Sequence, residues 1–350
     1  MNVTEYYVIG VMSGTSLDGI DVAYLHFKKE DKWTYDIIHG ETIPYTSNWE
    51  FRLRDAINSS ASELDILNIA YTELLAGVVS DFIEKHQLVR IDAVCSHGHT
   101  ILHQPEKGLT LQIGNLKLLA ERLLQTVVCD FRMQDVSLGG QGAPLVPIGD
   151  ELLFSEFAYC LNLGGFSNIS TQLNDERIAY DVCPVNIVLN HYVQQLGVPY
   201  DDGGKTAASG KVNLTLLERL NALEFYQLSY PKSLGLEWVQ QTIFPLIDAY
   251  KLATPNILRT FVEHCAIQIS KQFYNKGSVL VTGGGMYNLL LIDRIKSLSG
   301  NDIHLPEPNL IEFKEALIFG LLGVLKLRGE VNVLASVTGA KKNHSSGVVF

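Results

Sequence analysis

The chain has 350 residues, 47% hydrophobic, 19% charged and 9% aromatic, which is enough for two domains of ordinary size, each with its own core. Twenty-seven Lys and Arg against 38 Asp and Glu leave a net charge of −11, which excludes a generic grip on nucleic-acid phosphates or on an anionic membrane. Any phosphate bound here must be held locally, by backbone amides with or without a metal. Five scattered cysteines (Cys95, Cys129, Cys160, Cys183, Cys265) with no C-x-x-C pair argue against a disulfide framework or a zinc site. The N-terminus has no basic n-region, and no apolar run approaches the roughly 18–20 residues of a membrane span. The expectation is a reduced, cytoplasmic, soluble protein with no nucleic-acid or membrane partner.

In chain order, residues 6–12 form an apolar run, Ser13-Gly14-Thr15-Ser16 a small polar turn, and Asp21–Phe27 a second β-rich run, together a strand, glycine turn and strand. Residues 115–125 have helical periodicity and 126–131 read as a strand. The stretch Ser137–Pro144 breaks regular structure and is the expected first crossing between domains. At 158–171 the opening pattern recurs: an apolar strand runs into Gly164-Gly165-Phe166-Ser167-Asn168 and then Ile169-Ser170-Thr171. Gly14 and Gly165 stand 151 residues apart, the spacing of two related domains that each open with a hairpin. Arg177–Tyr180 reads as a strand ending at Asp181, with 181–184 turning into the next helix. Helices follow around 185–196, 212–222, 236–250 and 255–275, then the buried strand Ser278–Thr282 running into Gly283-Gly284-Gly285, and a buried helix over Glu315–Arg328. The fold class is therefore α/β with two related domains, domain I being 1–135 plus 317–350 and domain II 136–316.

Glycine turns after buried strands let backbone N–H groups approach an anion, because no Cβ intervenes. One such turn is usually only a tight turn. Three, at 13–19, 164–168 and 283–285, suit a nucleotide held in a cleft between domains. A P-loop is excluded because Gly204-Lys205-Thr206 would need a glycine where Pro199 stands. A dinucleotide fingerprint fails because Gly140-Gln-Gly142 is followed by Leu145 in place of the third glycine. Asp18 or Asp21 can hold Mg²⁺ through water, although each also reads as an ordinary turn or strand residue. His97, His99 and His103 have no local carboxylate or cysteine beyond Cys95 to complete a zinc set, so they fit the polar lining of a sugar cleft better. Phosphoryl transfer to a hydroxyl needs alignment, charge neutralisation and one base. Asp181 suits the base, and on local pattern alone it equally suits a helix cap.

Taken together these motifs resemble one family. Gly10-Val-Met-Ser-Gly-Thr-Ser-Leu-Asp-Gly-Ile-Asp21 resembles the opening of the anhydro-N-acetylmuramic acid kinases. Ser96-His97-Gly98 with Thr100, Asp130-Phe-Arg132 with Gly139–Leu145, Leu161–Ile169, Tyr200-Asp201 with Gly204, Ala207–Gly210, Pro231-Lys-Ser233, Gly283-Gly-Gly285 with Asn288, Glu315-Ala316 and Val337–Ala340 continue it in family order. The resemblance implies the two-domain, ribonuclease-H-like architecture of actin, hexokinase and the heat-shock chaperone ATPases, with an inter-domain nucleotide cleft. It implies ATP and Mg²⁺ as cofactors, and 1,6-anhydro-N-acetylmuramic acid as the substrate converted to N-acetylmuramic acid 6-phosphate in peptidoglycan recycling. A homodimer is compatible with it.

By position, Gly14, Thr15, Ser16, Leu17, Asp18, Gly19, Ile20 and Asp21 would cradle the ATP phosphates, with Asp18 toward the metal. Gly164 and Gly165 would form the opposing hairpin, and Gly283, Gly284 and Gly285 would contact the adenosine. Asp181 would be the base that activates water, while His97, Arg132, Asn186 and Glu315 would line the sugar site. Three departures stand out. The family's Asp-Thr-Gly-Pro-Gly-Asn is Asp181-Val-Cys-Pro-Val-Asn186 here, His99 replaces a glutamine, and Leu236 replaces an arginine. They leave open a catalytically reduced nucleotide-binding relative, or a kinase of another amino sugar.

Overall fold

The opening apolar run is strand β1 (Glu5–Ser13), which pairs antiparallel with β2 (Ile20–Lys29), itself antiparallel to β3 (Trp33–Ile43). On its other side β1 runs parallel to β4 (Ala93–Gln104). The outer end of β4 folds back on β5 (Leu109–Ile113), and β6 (Val127–Cys129) lies parallel beside β4. A two-residue strand, Val348–Val349, closes this edge antiparallel to β6. Further along, β7 (Tyr159–Leu163), β8 (Phe166–Leu173) and β9 (Glu176–Pro184) form a second antiparallel meander. β10 (Ser278–Thr282) is parallel to β7, and β11 (Asp302–His304) is parallel to β10. The strand orders β6-β4-β1-β2-β3 and β11-β10-β7-β8-β9 are one ribonuclease-H-like topology used twice, as the sequence repeat predicts.

The computed structural model describes residues 4–14 and 17–350. It divides the chain into two units, Met1–Leu153 with Glu312–Phe350, and Phe154–Ile311. Residues 136–153 and 312–316 thus join the first unit, whereas the sequence reading gave them to the second. The reason is a set of buried polar ties. The fully buried Asp135 carboxylate accepts from Gly142 N and from Thr338 Oγ1, both at 2.7 Å, and Asp150 pairs with buried Lys314 at 2.7 Å. The glycine-rich run at 137–144 is therefore a loop wrapped on a carboxylate and not a crossing. A Cβ at Gly140 would stand 2.2 Å from Asp135 Oδ2.

Helices cover both faces of the first sheet, which is why β1 reads as a continuous apolar run instead of an alternating one. One face receives the helix Ala61–Lys85, capped by a Ser60/Glu63 capping box. Its length and hydropathy would allow a membrane span, but Leu64, Leu67, Tyr71, Leu75, Val79 and Phe82 are buried with Ile9, Val11 and Val94 in this unit's core. The other face receives the helix Pro308–Leu327, nearly two turns longer at its start than the sequence suggested. It approaches so closely that a Cβ at Gly10 would lie 2.1 Å from Ala316 O, and one at Gly323 would lie 2.1 Å from Cys95 Sγ.

In the second unit the long helix Thr254–Ser270 lies on the sheet with Phe261, Val262, Cys265 and Ile269 in its core. The helix expected over 236–250 spans Leu236–Asp248 and carries a π segment at Val239–Ile243.

Candidate functional site

β1, β4 and β6 are parallel, so their carboxyl ends share one edge of the first sheet, where open α/β sheets place ligands. Ser13 is in register with His99, and Ser96 with Cys129, which brings Gly14, His97 and Arg132 to that edge from three distant stretches of sequence. Thr15 and Ser16 lie outside the described residues. Leu17 closes the turn by donating from its amide to Gly14 O (3.3 Å), with φ at +62°. Gly19 and Ile20 are buried and Asp18 is exposed. Asp21 Oδ1 accepts from Thr42 Oγ1 at 2.6 Å. Burial raises the Asp21 carboxyl above its ordinary value, with Asp18 and Glu312 adding repulsion and the Thr42 bond opposing.

His97 is buried and its tautomer is fixed by its partners. Arg132 Nε can only donate, so His97 Nε2 accepts from it (2.8 Å) and Nδ1–H donates to Gly98 O (2.9 Å). Burial first, then the Arg132 charge, hold its pKa well below the ordinary histidine value. Arg132 Nη1 also donates to Gly142 O at 2.6 Å. Burial pulls the guanidinium down to about 10, against the pull of Glu315 and Asp135, so it stays charged at neutral pH. Glu315 keeps solvent contact. Desolvation by the protein around it nevertheless raises its carboxyl, with Arg132 opposing and Asp21 and Asp18 adding to the rise. The edge thus combines a neutral imidazole, a committed guanidinium and three interacting carboxylates.

Beneath the turn lies a buried polar ring. Ser13 Oγ meets Tyr45 OH (2.5 Å), Tyr71 OH (2.9 Å) and His99 Nδ1 (2.8 Å), and the two phenols meet at 2.6 Å. Three hydroxyl protons cannot serve four contacts, so His99 supplies the fourth from Nδ1–H. Burial lowers the His99 pKa to about 4. The glutamine-to-histidine departure is therefore absorbed inside the fold.

In the second unit β7 and β10 are parallel with Asn162 opposite Thr282, so Gly164-Gly165 and Gly283-Gly284-Gly285 leave the sheet side by side. The hairpin carbonyls cap the following helix, Asn186–Val193. Val185 N and Ile187 N donate to Gly165 O, and Asn186 N donates to Gly164 O. The glycines fall into two kinds. Gly283, at φ +82°, and Gly285 are required by the fold, because an added Cβ would come within 2.5 Å of Asn162 Oδ1 or 2.8 Å of Leu163 Cβ. Gly164, Gly165 and Gly284 are not, since a Cβ there meets nothing closer than 3.4, 3.9 and 4.0 Å. Their bareness leaves the backbone open to approach from outside.

A cavity of about 500 Å³ opens beside Gly284 and Gly285, lined by Asn186, Asn190, Tyr200, Asp201, Tyr287 and Asn288 among others. Asn186, expected near the sugar, stands in this cavity. Asn190 and Tyr287 were missed. The available signal was the four-residue spacing of Asn186 and Asn190 on one helix face.

Asp181 lies within β9, not at its end. Its Oδ2 accepts from Leu234 N at 2.8 Å, and its amide donates to Lys232 O, so the Pro231-Lys-Ser233 motif aligns the acid. Its other oxygen has no partner among the described residues. Desolvation raises its carboxyl and the Leu234 bond opposes the rise. The substituted neighbours Val182, Cys183 and Val185 all point into the core, with Cys183 Sγ 3.2 Å from Ser167 Oγ. The changed 182–185 segment thus alters packing behind Asp181 and Asn186 and leaves both side chains half-open to solvent. Leu236 is surface-exposed.

The family model described as anhydro-N-acetylmuramic acid kinase matches residues 6–350. Proteins of that name from Pseudomonas savastanoi pv. phaseolicola and Pasteurella multocida are 35% and 34% identical, over 99% and 100% of this chain and 99% and 98% of their own lengths. Among solved structures, (R)-2-hydroxyglutaryl-CoA dehydratase component A from Acidaminococcus fermentans is similar with a TM-score of 0.48 and 12% identity, over 92% of this chain and 99% of that one.

Proposed function

The chain belongs to the anhydro-N-acetylmuramic acid kinase family, and from that premise we propose that Asp181 is the base with which it converts 1,6-anhydro-N-acetylmuramic acid, ATP and water into N-acetylmuramic acid 6-phosphate and ADP. Water attacks C1 of the sugar and gives a proton to the uncommitted Asp181 oxygen. The C1–O6 bond breaks, and O6 takes the electron pair that makes it the acceptor of the γ-phosphoryl group. The observation that carries this reading is the state of Asp181. One oxygen is pinned by Leu234 N, the other is uncommitted, and the carboxyl is raised toward the basicity a proton acceptor needs.

His97, Arg132 and Glu315 would meet the sugar. Arg132 is held in place by His97 and Gly142, so its guanidinium is presented with little entropy left to lose. The bare Gly164-Gly165 turn would let phosphate oxygens come close to its backbone, and the cavity beside Gly284 would take the adenosine. Mg²⁺ fits the donor set. Asp18 is exposed, and Asp21 and Glu315 both feel its charge, so the donors here are carboxylate oxygens, the ligand type Mg²⁺ takes. Asp18 would hold it, and when bound it would neutralise triphosphate charge. A cytoplasmic setting belongs to the same proposal, supported by five buried, unbridged cysteines.

The test supplies ATP, Mg²⁺ and 1,6-anhydro-N-acetylmuramic acid in ¹⁸O-water. Label at C1 of a 6-phosphate product is expected. Bound ATP without product would overturn the reading in favour of a catalytically reduced relative.

A further inference from the structure

The cavity beside Gly284 has polar walls, and part of their hydrogen-bonding capacity is already spent. Asp201 uses one oxygen on Thr206 N (2.7 Å) and the other on Ala207 N (2.9 Å). Asn288 Oδ1 caps the next helix by accepting from Leu291 N (3.1 Å), and Asn186 Nδ2 donates to Leu163 O (3.3 Å). Asn190 differs. The residue lines the cavity and is half-buried, and its carboxamide has no hydrogen-bond partner among the described residues. It stands one turn beyond Asn186, about 6 Å further along the helix from the glycine hairpin. Tyr200 and Tyr287 line the same cavity with 62% and 52% of their surfaces exposed, and large aromatic faces left open in a pocket are suited to stacking on a flat ring.

We propose that Asn190 reads the nucleobase, pairing its carboxamide with the amine and neighbouring ring nitrogen of adenine while Tyr200 and Tyr287 flank the ring. A carboxamide presents one acceptor beside one donor. Adenine presents the complement, the N6 amine and N7, whereas guanine presents two acceptors, O6 and N7. An unspent amide therefore favours ATP over GTP, which a shape-only pocket would do weakly.

The inference rests on the reading that ATP occupies this cavity, and the test separates the two. ATP and GTP are titrated calorimetrically, without sugar, into the full chain and into Asn190→Leu, Asn190→Ala and Gly284→Val. The wild type should prefer ATP by about tenfold or more, the usual worth of one such pair. Asn190→Leu should lose most of that preference by weakening ATP while leaving GTP nearly unmoved. If the leucine variant does not fold, Asn190→Ala, which removes the whole carboxamide, carries the same expectation. A wild type indifferent to the base, or Asn190 variants that keep the ATP to GTP ratio, would overturn the assignment. Full-strength ATP binding by Gly284→Val would instead place the nucleotide elsewhere, and both readings would fall together.

Discussion

Gly284 and Gly285 are adjacent, yet they should respond to the same methyl group in opposite ways. At Gly285 an alanine Cβ would meet Leu163 Cβ at 2.8 Å and Leu163 O at 2.9 Å. The latter is strand backbone and cannot step aside, so overpacking should cost about 1–3 kcal/mol. At Gly284 the nearest atom is Asn186 Nδ2 at 4.0 Å. Alanine there costs no contact, and by restricting the unfolded chain it should add about 0.4–1 kcal/mol. For a unit of this size 1 kcal/mol is worth about 2–4 °C, so the two variants should separate clearly in thermal unfolding of the ligand-free protein. Nucleotide binding should rank them the other way. The Gly284→Ala methyl projects where the ligand approaches, so the ATP-induced rise in melting temperature should shrink, while Gly285→Ala should keep that rise on a lowered baseline. Equal destabilisation by both, or an undiminished ATP shift in Gly284→Ala, would refute the division of the glycines into those the fold needs and those a ligand needs.

Asp181→Asn should lower turnover by about 10²–10⁴ with ATP affinity kept. Its raised carboxyl binds a proton more tightly folded than unfolded, so ionisation costs stability as pH rises through the raised value. The asparagine should therefore melt no lower than wild type at neutral pH, and retained turnover would remove Asp181 from its role. His99 works in the opposite sense. Unfolded it titrates near 6.5 and folded near 4, so between these values only the unfolded chain takes the proton. Stability should fall on acidification through this window by on the order of 3 kcal/mol, and His99→Gln should flatten that slope in melts from pH 7 to 4.5. Asp135→Ala strands Gly142 N and Thr338 Oγ1 in the interior and should cost about 2–4 kcal/mol in denaturant unfolding. A loss below 1 kcal/mol would mean that water replaces the carboxylate.

The two hairpins and the third glycine turn were legible because each is a local event, a strand interrupted by residues chosen for what they lack. The crossing placed at 137–144 was misread for the same reason. Glycines that make room for a buried carboxylate look like glycines that loosen a linker, and the distinction lies in Asp135 and Thr338, 203 residues apart. The ring around Ser13 was invisible because Tyr45, Tyr71 and His99 meet only once the sheet and its covering helix have formed. The sequence departure at Cys183 looked like damage to the site because the side of the strand it faces is settled by β8 pairing, not by its neighbours. Asn190 carries no local signal beyond its helical spacing, since an unpartnered carboxamide is recognised only once the bonds of Asn186 and Asn288 beside it are known.

The helix Pro308–Leu327 closes one face of the first unit with residues from Glu312 onward, and these are encoded after the whole second unit. A ribosome adding about 5–20 residues per second needs about 8–30 s to make residues 154–311. Throughout that interval the nascent first sheet shows the bare strip around Gly10, Leu25 and Cys95 that the helix will later cover. The second unit can finish first. The unit begun first is completed last, and its exposure to aggregation and to chaperones during synthesis is set by the length of the insert that separates its two parts.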